Sequence, residues 1–370
     1  MTGTPVHVLV VDDSAVMRES MTALLMSTGG FSVATAHDPI VARRKIAAQR
    51  PDVIVLDLAM PQEDGLSFLR DLMGTDPLPV VICSSHSTRG SRVALEALRE
   101  GAVDVVAKPH MGVRDFVQES SIQLIDVIRA ATRARVRGGR RREAAPARPV
   151  QRPVRPLAEP VVGSGGLVAI AASTGGPPAL HDVLGGLPPD APGVVVVQHM
   201  PAGFTTAFAE HLNQTCQIEV KEAATGDVVR PGRALIAPGD HHLEVHRETG
   251  GLTVVVTRGP LVSRHRPSAD VLFRSVARAA GPDAMGVIMT GMGDDGAAGL
   301  LEMHSAGAAT LGQDEASCVV FGMPREAAAR GAVDELVPLA LLSEKILEWA
   351  KAGRVPVLRT RAQERIVEER

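Results

Sequence analysis

Apolar runs and helical patterns alternate along most of this chain. The first third carries five short runs, "VHVLVV", "FSVATA", "DVIVLD", "PVVICS" and "VDVVAK". Stretches such as "AVMRESMTALLMS" and "SRVALEALREG" separate them at helical period. Continuous apolar runs of this length read as strands buried on both faces, and their alternation with helices predicts an open, doubly wound parallel sheet. The pattern resumes further on with "LVAIAA", "GVVVVQ", "RALIAP", "LTVVVT" and "AMGVIMT", which predict a second, mostly parallel α/β domain. Between the two, residues 133–160 ("RARVRGGRRREAAPARPVQRPVRPLAEP") lose all periodicity. That segment lacks the apolar surface to order itself and reads as an extended linker stiffened by Pro146, Pro149, Pro153 and Pro156. The expected organisation is a first domain over 5–130, a linker over 131–160, a second domain over 161–352 and a charged tail over 353–370.

Composition adds limits. The 370 residues suffice for two domains with cores of their own, and 45% apolar with 22% charged residues is a soluble globular balance. A net charge of −3 selects no polyanionic partner. The arginines of the linker suggest a nucleic-acid tether, but neither interleaved aromatics nor a helix-turn-helix pattern accompanies them, and no nucleic-acid partner is expected. Cys83, Cys216 and Cys318 are an odd number without metal-ligand spacing, which fits a reducing compartment. No run is long enough for a membrane span, so a cytoplasmic protein without membrane insertion is expected, as a monomer.

Ligands of open parallel sheets gather at the carboxyl ends of the strands. In the first domain those ends carry Asp12, Asp13, Asp57, Ser84 and Lys108. Three carboxylates at one edge call for a cation, and an all-oxygen set suits Mg2+. An aspartate so placed can accept a phosphoryl group. The plainer reading makes each aspartate a helix cap. Taken together, "VVDDS", "VLDLAMPQEDG", "VVICSS" and "VVAKP" resemble the receiver domain of two-component response regulators. The resemblance implies phosphorylation of Asp57 by a histidine kinase, Mg2+ held by Asp12, Asp13 and Asp57, and Ser84 and Lys108 as switch residues. Val105 departs from it, because many receivers have an aromatic residue there.

In the second domain Ser173 follows "LVAIAA", His199 ends "GVVVVQH", and Asp294 and Asp295 lie in the glycine-rich turn after "AMGVIMT". That is the inventory of a nucleophile, a base and an orienting carboxylate. Each has a plainer reading. Ser173 and Thr174 ahead of Gly175, Gly176 and Pro177 can cap a helix, and the aspartates can serve the turn. His199 can be a satisfied half-buried histidine, as can His211, His241, His242, His246 or His265, of which only His242 lies near another strand end. "ASTGG" lacks the further glycine or lysine of a nucleotide cradle.

The pieces "AASTGGPPAL", "VVVVQHMPAGFTTAFAEHLN", "IAPGDHHL", "HRPSADVLF", "TGMGDDGAAGL" and "QDEASCVVFGMPREAAARGAVDE" resemble the catalytic domain of the chemotaxis protein-glutamate methylesterases. What this implies is a serine hydrolase acting on glutamate methyl esters, and on some glutamines, of chemoreceptors. Ser173 is then the nucleophile, His199 the base and Asp295 the orienting acid. On position alone, the backbone amides at Thr174, Gly175 and Met292 are candidates to face the oxyanion. No cofactor is expected in this domain. The resemblance also implies that the unphosphorylated receiver packs over the esterase cleft. Ala171 departs from the family, which usually has glycine two places before the serine. Two other readings stand beside this one: a regulator with a nucleic-acid-binding output, and a nucleotide-dependent α/β enzyme.

Overall fold

The computed structural model describes residues 4–60, 64–84, 87–108, 114–136 and 166–352. Most of the expected linker and the whole expected tail lie outside them.

The first domain runs β1 (Val6–Val11), α1 (Ala15–Thr28), β2 (Phe31–Ala36), α2 (Pro39–Ala48), β3 (Val53–Leu56), α3 (Gly65–Thr75), β4 (Val80–Ser84), α4 (Thr88–Arg99), β5 (Asp104–Ala107) and α5 (Arg114–Ala131). Its sheet is parallel, in the order β2-β1-β3-β4-β5. All five runs expected from the pattern are strands. The helix caps are Ser14, Asp38, Asp64 and Ser87, each accepting a backbone N–H of its own first turn. Asp12, Asp13 and Asp57 are therefore not the caps of the helices that follow them.

The second domain runs β6 (Leu167–Ala172), α6 (Gly176–Gly185), β7 (Gly193–Gln198), α7 (Phe204–Thr215), β8 (Glu219–Glu222), β9 (Arg233–Ile236), β10 (His242–Glu248), β11 (Gly251–Thr257) and α8 (Ala269–Ala280). A short 3-10 turn follows, then β12 (Ala284–Ile288), α9 (Ala297–Ser305), β13 (Ala309–Gln313), α10 (Met323–Ala329), β14 (Glu335–Val337) and α11 (Leu339–Lys351). Seven parallel strands stand in the order β14-β13-β12-β6-β7-β9-β8. Chain order reverses around β6, so its carboxyl end, beside those of β7 and β12, is the switch point where α/β sheets place their ligands.

The run "LTVVVT" is not in this sheet. It forms an antiparallel ribbon, β10 with β11, whose inner residues Leu243, Val245 and Val254 belong to the α8 side of the core. The Val245 N–H donates to Ser275 Oγ at 2.9 Å, tying the ribbon to α8. Ala171 lies inside β6, paired with Val197 and Ile288, so extended backbone suffices and no glycine is needed there.

The two domains pack together. Leu95 and Leu98 of α4 face Pro177, Pro178 and Phe208 of the second domain. Arg92–Glu210 (3.4 Å), Arg264–Asp126 (3.2 Å) and Arg135–Glu315 (2.7 Å) bridge the boundary.

Candidate active site and receiver acid cluster

Ser173 stands at the turn from β6 into α6. Its N–H donates to Thr290 O at 2.9 Å, which ties the turn to the end of β12, and Gly176 N–H closes it on Ser173 O at 2.7 Å. Gly175 takes φ +76°, and a Cβ there would meet the Val319 side chain at 2.5 Å. Gly291 has a similar reason: its Cβ would lie 2.7 Å from that of Ser173. The N-cap of α6 is Gly175, with no side-chain cap bond, so the Ser173 hydroxyl does not cap this helix.

His199 follows β7. Its Nε2 pairs with Asp295 Oδ2 at 2.8 Å, and both side chains are almost wholly buried. Asp295 is held further by the Ser268 hydroxyl (2.7 Å), the Ala269 N–H (2.7 Å) and the Asp270 N–H (3.2 Å). The last two donors are the free N–H groups at the start of α8, a setting that favours an anion. Burial pushes the Asp295 carboxyl up, but hydrogen bonding to His199 and Ser268 and the His199 charge outweigh it and hold the carboxyl below its ordinary value. Asp294 points elsewhere: it is exposed and pairs with Arg330 at 2.8 Å.

The second ring nitrogen of His199, Nδ1, is buried without a hydrogen-bond partner. It is the nitrogen available to a neighbouring hydroxyl, and Ser173 lines the same cavity. The hydrogen bond between them is not made here, and such contacts often tighten only around substrate. Gln198 supports both residues, its Nε2 donating to Ser173 O (3.0 Å) and His199 O (3.1 Å).

The cavity holds about 60 Å³, and Thr174, His265, Arg264 and Met292 also line it. Met200, Pro201, Arg266, Pro267 and Gly293 complete the esterase side, and the receiver closes the other with Asp104, Val105, Val106 and residues of α5. Thr174 Oγ1 donates to Asp104 Oδ2 at 2.7 Å, and Gly175 N–H donates to Val103 O at 3.2 Å. Burial lifts the Asp104 carboxyl to about 6, against the Thr174 hydrogen bond that works to lower it.

In the receiver, Asp12, Asp13 and Asp57 each bring an oxygen within 4.8 Å of the others. Lys108 Nζ bridges Asp12 Oδ2 (2.9 Å) and Asp57 Oδ2 (2.7 Å). Burial opposes the Lys108 charge, but the two carboxylates raise it above its ordinary value. Ser84 is buried at the end of β4, and its carbonyl accepts the Lys108 N–H at 2.8 Å. The all-oxygen donor set fits a hard divalent cation.

Pattern reasoning missed four contributors to the esterase site. Ser268 and His265 lie in the "HRPSADVLF" piece, but the positions they hold depend on folding that loop back over β7. Gln198 reads as the polar end of a buried strand. Asp104 reads only as the start of a receiver strand. Of the other histidines, His242 has a structural role, its ring bonded to Pro260 O (2.8 Å) and the Ser268 N–H (3.2 Å).

A buried carboxylate–imidazole pair beside a serine at a sheet switch point, joined to an acid cluster of receiver type, fits a class of two-domain, receiver-bearing hydrolases. The chain belongs to the CheB methylesterase family. That family's model matches residues 168–346, and the response regulator receiver domain matches 8–118. A protein-glutamate methylesterase/protein-glutamine glutaminase of Anaeromyxobacter dehalogenans is 53% identical over 93% of this chain and 99% of its own length. One of Burkholderia lata is 52% identical over 92% and 95%. The crystal structure of the Thermotoga maritima CheB methylesterase catalytic domain is 37% identical, covering 50% of this chain and 99% of its own, with a TM-score of 0.49. The two family models and the curated relatives support a receiver-bearing methylesterase and not the nucleic-acid-binding alternative. Among the described residues, no helix is long and apolar enough to cross a membrane.

Proposed function

We propose that this enzyme hydrolyses γ-glutamyl methyl esters on chemoreceptors, releasing methanol, and that phosphorylation of Asp57 controls it. The observation that carries the reading is the buried His199–Asp295 pair at 2.8 Å beside Ser173. His199 takes the Ser173 proton at Nδ1 while the serine oxygen attacks the ester carbonyl. Asp295, fixed by three donors of its own, holds the ring tautomer and stabilises the imidazolium. The oxyanion is met by backbone N–H groups around Thr174, Gly175 and Met292. His199 returns the proton to the leaving methoxide, and water hydrolyses the acyl-enzyme by the same route. A glutamine side chain follows the same course, with ammonia leaving.

Domain bounds of 5–130 for the receiver and 161–352 for the esterase accompany this reading. Asp57 accepts a phosphoryl group from a histidine kinase. Asp12, Asp13 and Asp57 would hold Mg2+, which when bound neutralises charge on the transferring group. Lys108 supplies a second cation next to Asp57, and Ser84 a hydroxyl for the new phosphoryl oxygens. In the unphosphorylated state the receiver restrains the esterase. Its Val103 carbonyl occupies the Gly175 N–H, and the receiver-walled cavity of about 60 Å³ has room for a few waters but none for a receptor helix.

The test is labelling with a serine-directed phosphonate, read by mass spectrometry. Modification at Ser173, lost in His199→Ala and increased by a small phosphodonor, is expected. Labelling of another serine with Ser173 untouched would overturn the assignment.

A further inference from the structure

His265 is a half-buried histidine to which the mechanism above gives no part. Its ring lies on that of His199 with centroids 3.8 Å apart and planes 7° from parallel. The turn that carries it is specific: Val262 and His265 exchange both backbone hydrogen bonds (3.1 and 2.9 Å). The two residues between, Ser263 at φ +49° and Arg264 at φ +67°, adopt left-handed backbone without being glycine. Such conformations persist where surrounding structure imposes them, and they gather at functional sites. Arg266 anchors the loop from the other side, its Nε donating to Asp240 (2.8 Å) and an Nη to Gly259 O (2.9 Å).

The Asp295 hydrogen bond restrains one edge of the His199 ring but not its tilt. A parallel ring on one face restrains the tilt, and so the direction in which Nδ1 points. We propose that His265 is a positioning residue of the esterase: its ring fixes the plane of His199 and offers a π face to the imidazolium formed when Ser173 gives up its proton. This rests on the serine–histidine–aspartate reading above. The charged and titratable groups around the His265 ring are His199, Asp295 and Arg264. Burial and the nearby His199 and Arg264 charges push its pKa down to about 3, against the opposing pull of Asp295. The neutral His265 ring is thus favoured beside the His199 imidazolium.

The experiment compares the full-length chain, activated with a phosphodonor, with His265→Ala, His265→Phe and Ser173→Ala on methyl-esterified receptor. Misplacing a catalytic group by a fraction of an ångström to an ångström costs up to about 100-fold, so His265→Ala should lower kcat about 10- to 100-fold with KM within about twofold. His265→Phe keeps a ring over His199 and should recover most of that loss. His265→Ala at wild-type kcat, or His265→Phe as slow as a folded His265→Ala, would overturn the proposal. If His265→Ala fails to fold, His265→Phe decides alone: near-normal kcat supports the stack, and a large kcat loss in a folded protein contradicts it. Activity in Ser173→Ala would instead sink the serine mechanism itself, so the two failures are separable.

Discussion

Thr174 Oγ1 donates to Asp104 Oδ2 at 2.7 Å, joining the esterase turn to the receiver one residue from Ser173. A receiver carboxylate is thus held beside the catalytic serine proposed here, against the same turn whose Gly175 N–H donates to the Val103 carbonyl. Loss of an acceptor that leaves a buried hydroxyl unpaired costs about 1–3 kcal/mol. Asp104→Ala should therefore loosen docking and raise the basal rate several-fold towards the phosphorylated rate. A basal rate unchanged in a folded Asp104→Ala protein would show that this contact does not restrain the enzyme.

The same carboxyl makes docking depend on pH. Burial raises it to about 6, so the docked receiver holds a proton more readily than an undocked one whose Asp104 meets water. Docking tightens as pH falls below about 6 towards the ordinary carboxyl value of 3.8, and above about 6 it stays at its weakest. Asp104→Asn stays neutral throughout. Above that pH it should dock better and show a lower basal rate than the wild type, and the two should converge below it. Basal rates of both proteins measured from pH 5 to 8 (about one unit below to two above) check this. A ratio that does not change with pH contradicts it.

The two adjacent aspartates should differ sharply. Asp295→Asn keeps the shape but disturbs the tautomer of His199, a change that costs on the order of 10⁴ in kcat in comparable triads. Asp294 makes an exposed ion pair with Arg330, worth about 0–1 kcal/mol at most, so Asp294→Asn should stay within about threefold of wild type. Steady-state kinetics on both variants decides it, and the reverse order would mean that the orienting acid is Asp294.

Much of this site was legible before folding because parallel strands announce themselves as apolar runs and ligands gather at their ends. Ser173, His199, Asp57 and Lys108 follow such runs directly, and Asp295 lies in the turn after one. What escaped has physical reasons. β8 (EVKE) and β14 (ELV) are short, polar edge strands without the continuous run of a buried one, and β13 (ATLGQ) carries a glycine and polar ends. β11 has the composition of a buried strand but pairs with β10 and, at one bridge, with Val228, because that ribbon covers α8 instead of extending the sheet. His265 and Ser268 reach Asp295 and His199 through a loop whose two left-handed residues carry no glycine to mark the turn.

Phosphorylation and hydrolysis belong to different domains, so they should separate by mutation. Asp57→Asn should abolish phosphate incorporation from a small phosphodonor and the accompanying rise in rate, while basal hydrolysis persists. Chelating Mg2+ should do the same to the unmutated protein. Acid-stable labelling, or labelling that survives Asp57→Asn, would contradict an acyl phosphate on that residue.

The most direct measurement is methanol released from methyl-esterified receptor by the full-length protein and by Ser173→Ala, each with and without phosphodonor and Mg2+. The account predicts slow release by the unmutated chain and an increase of about tenfold on phosphorylation, equivalent to about 1.4 kcal/mol of docking preference. Ser173→Ala should release none above background in either condition. Release by a folded Ser173→Ala protein at a rate near that of the unmutated chain would contradict the account at its centre.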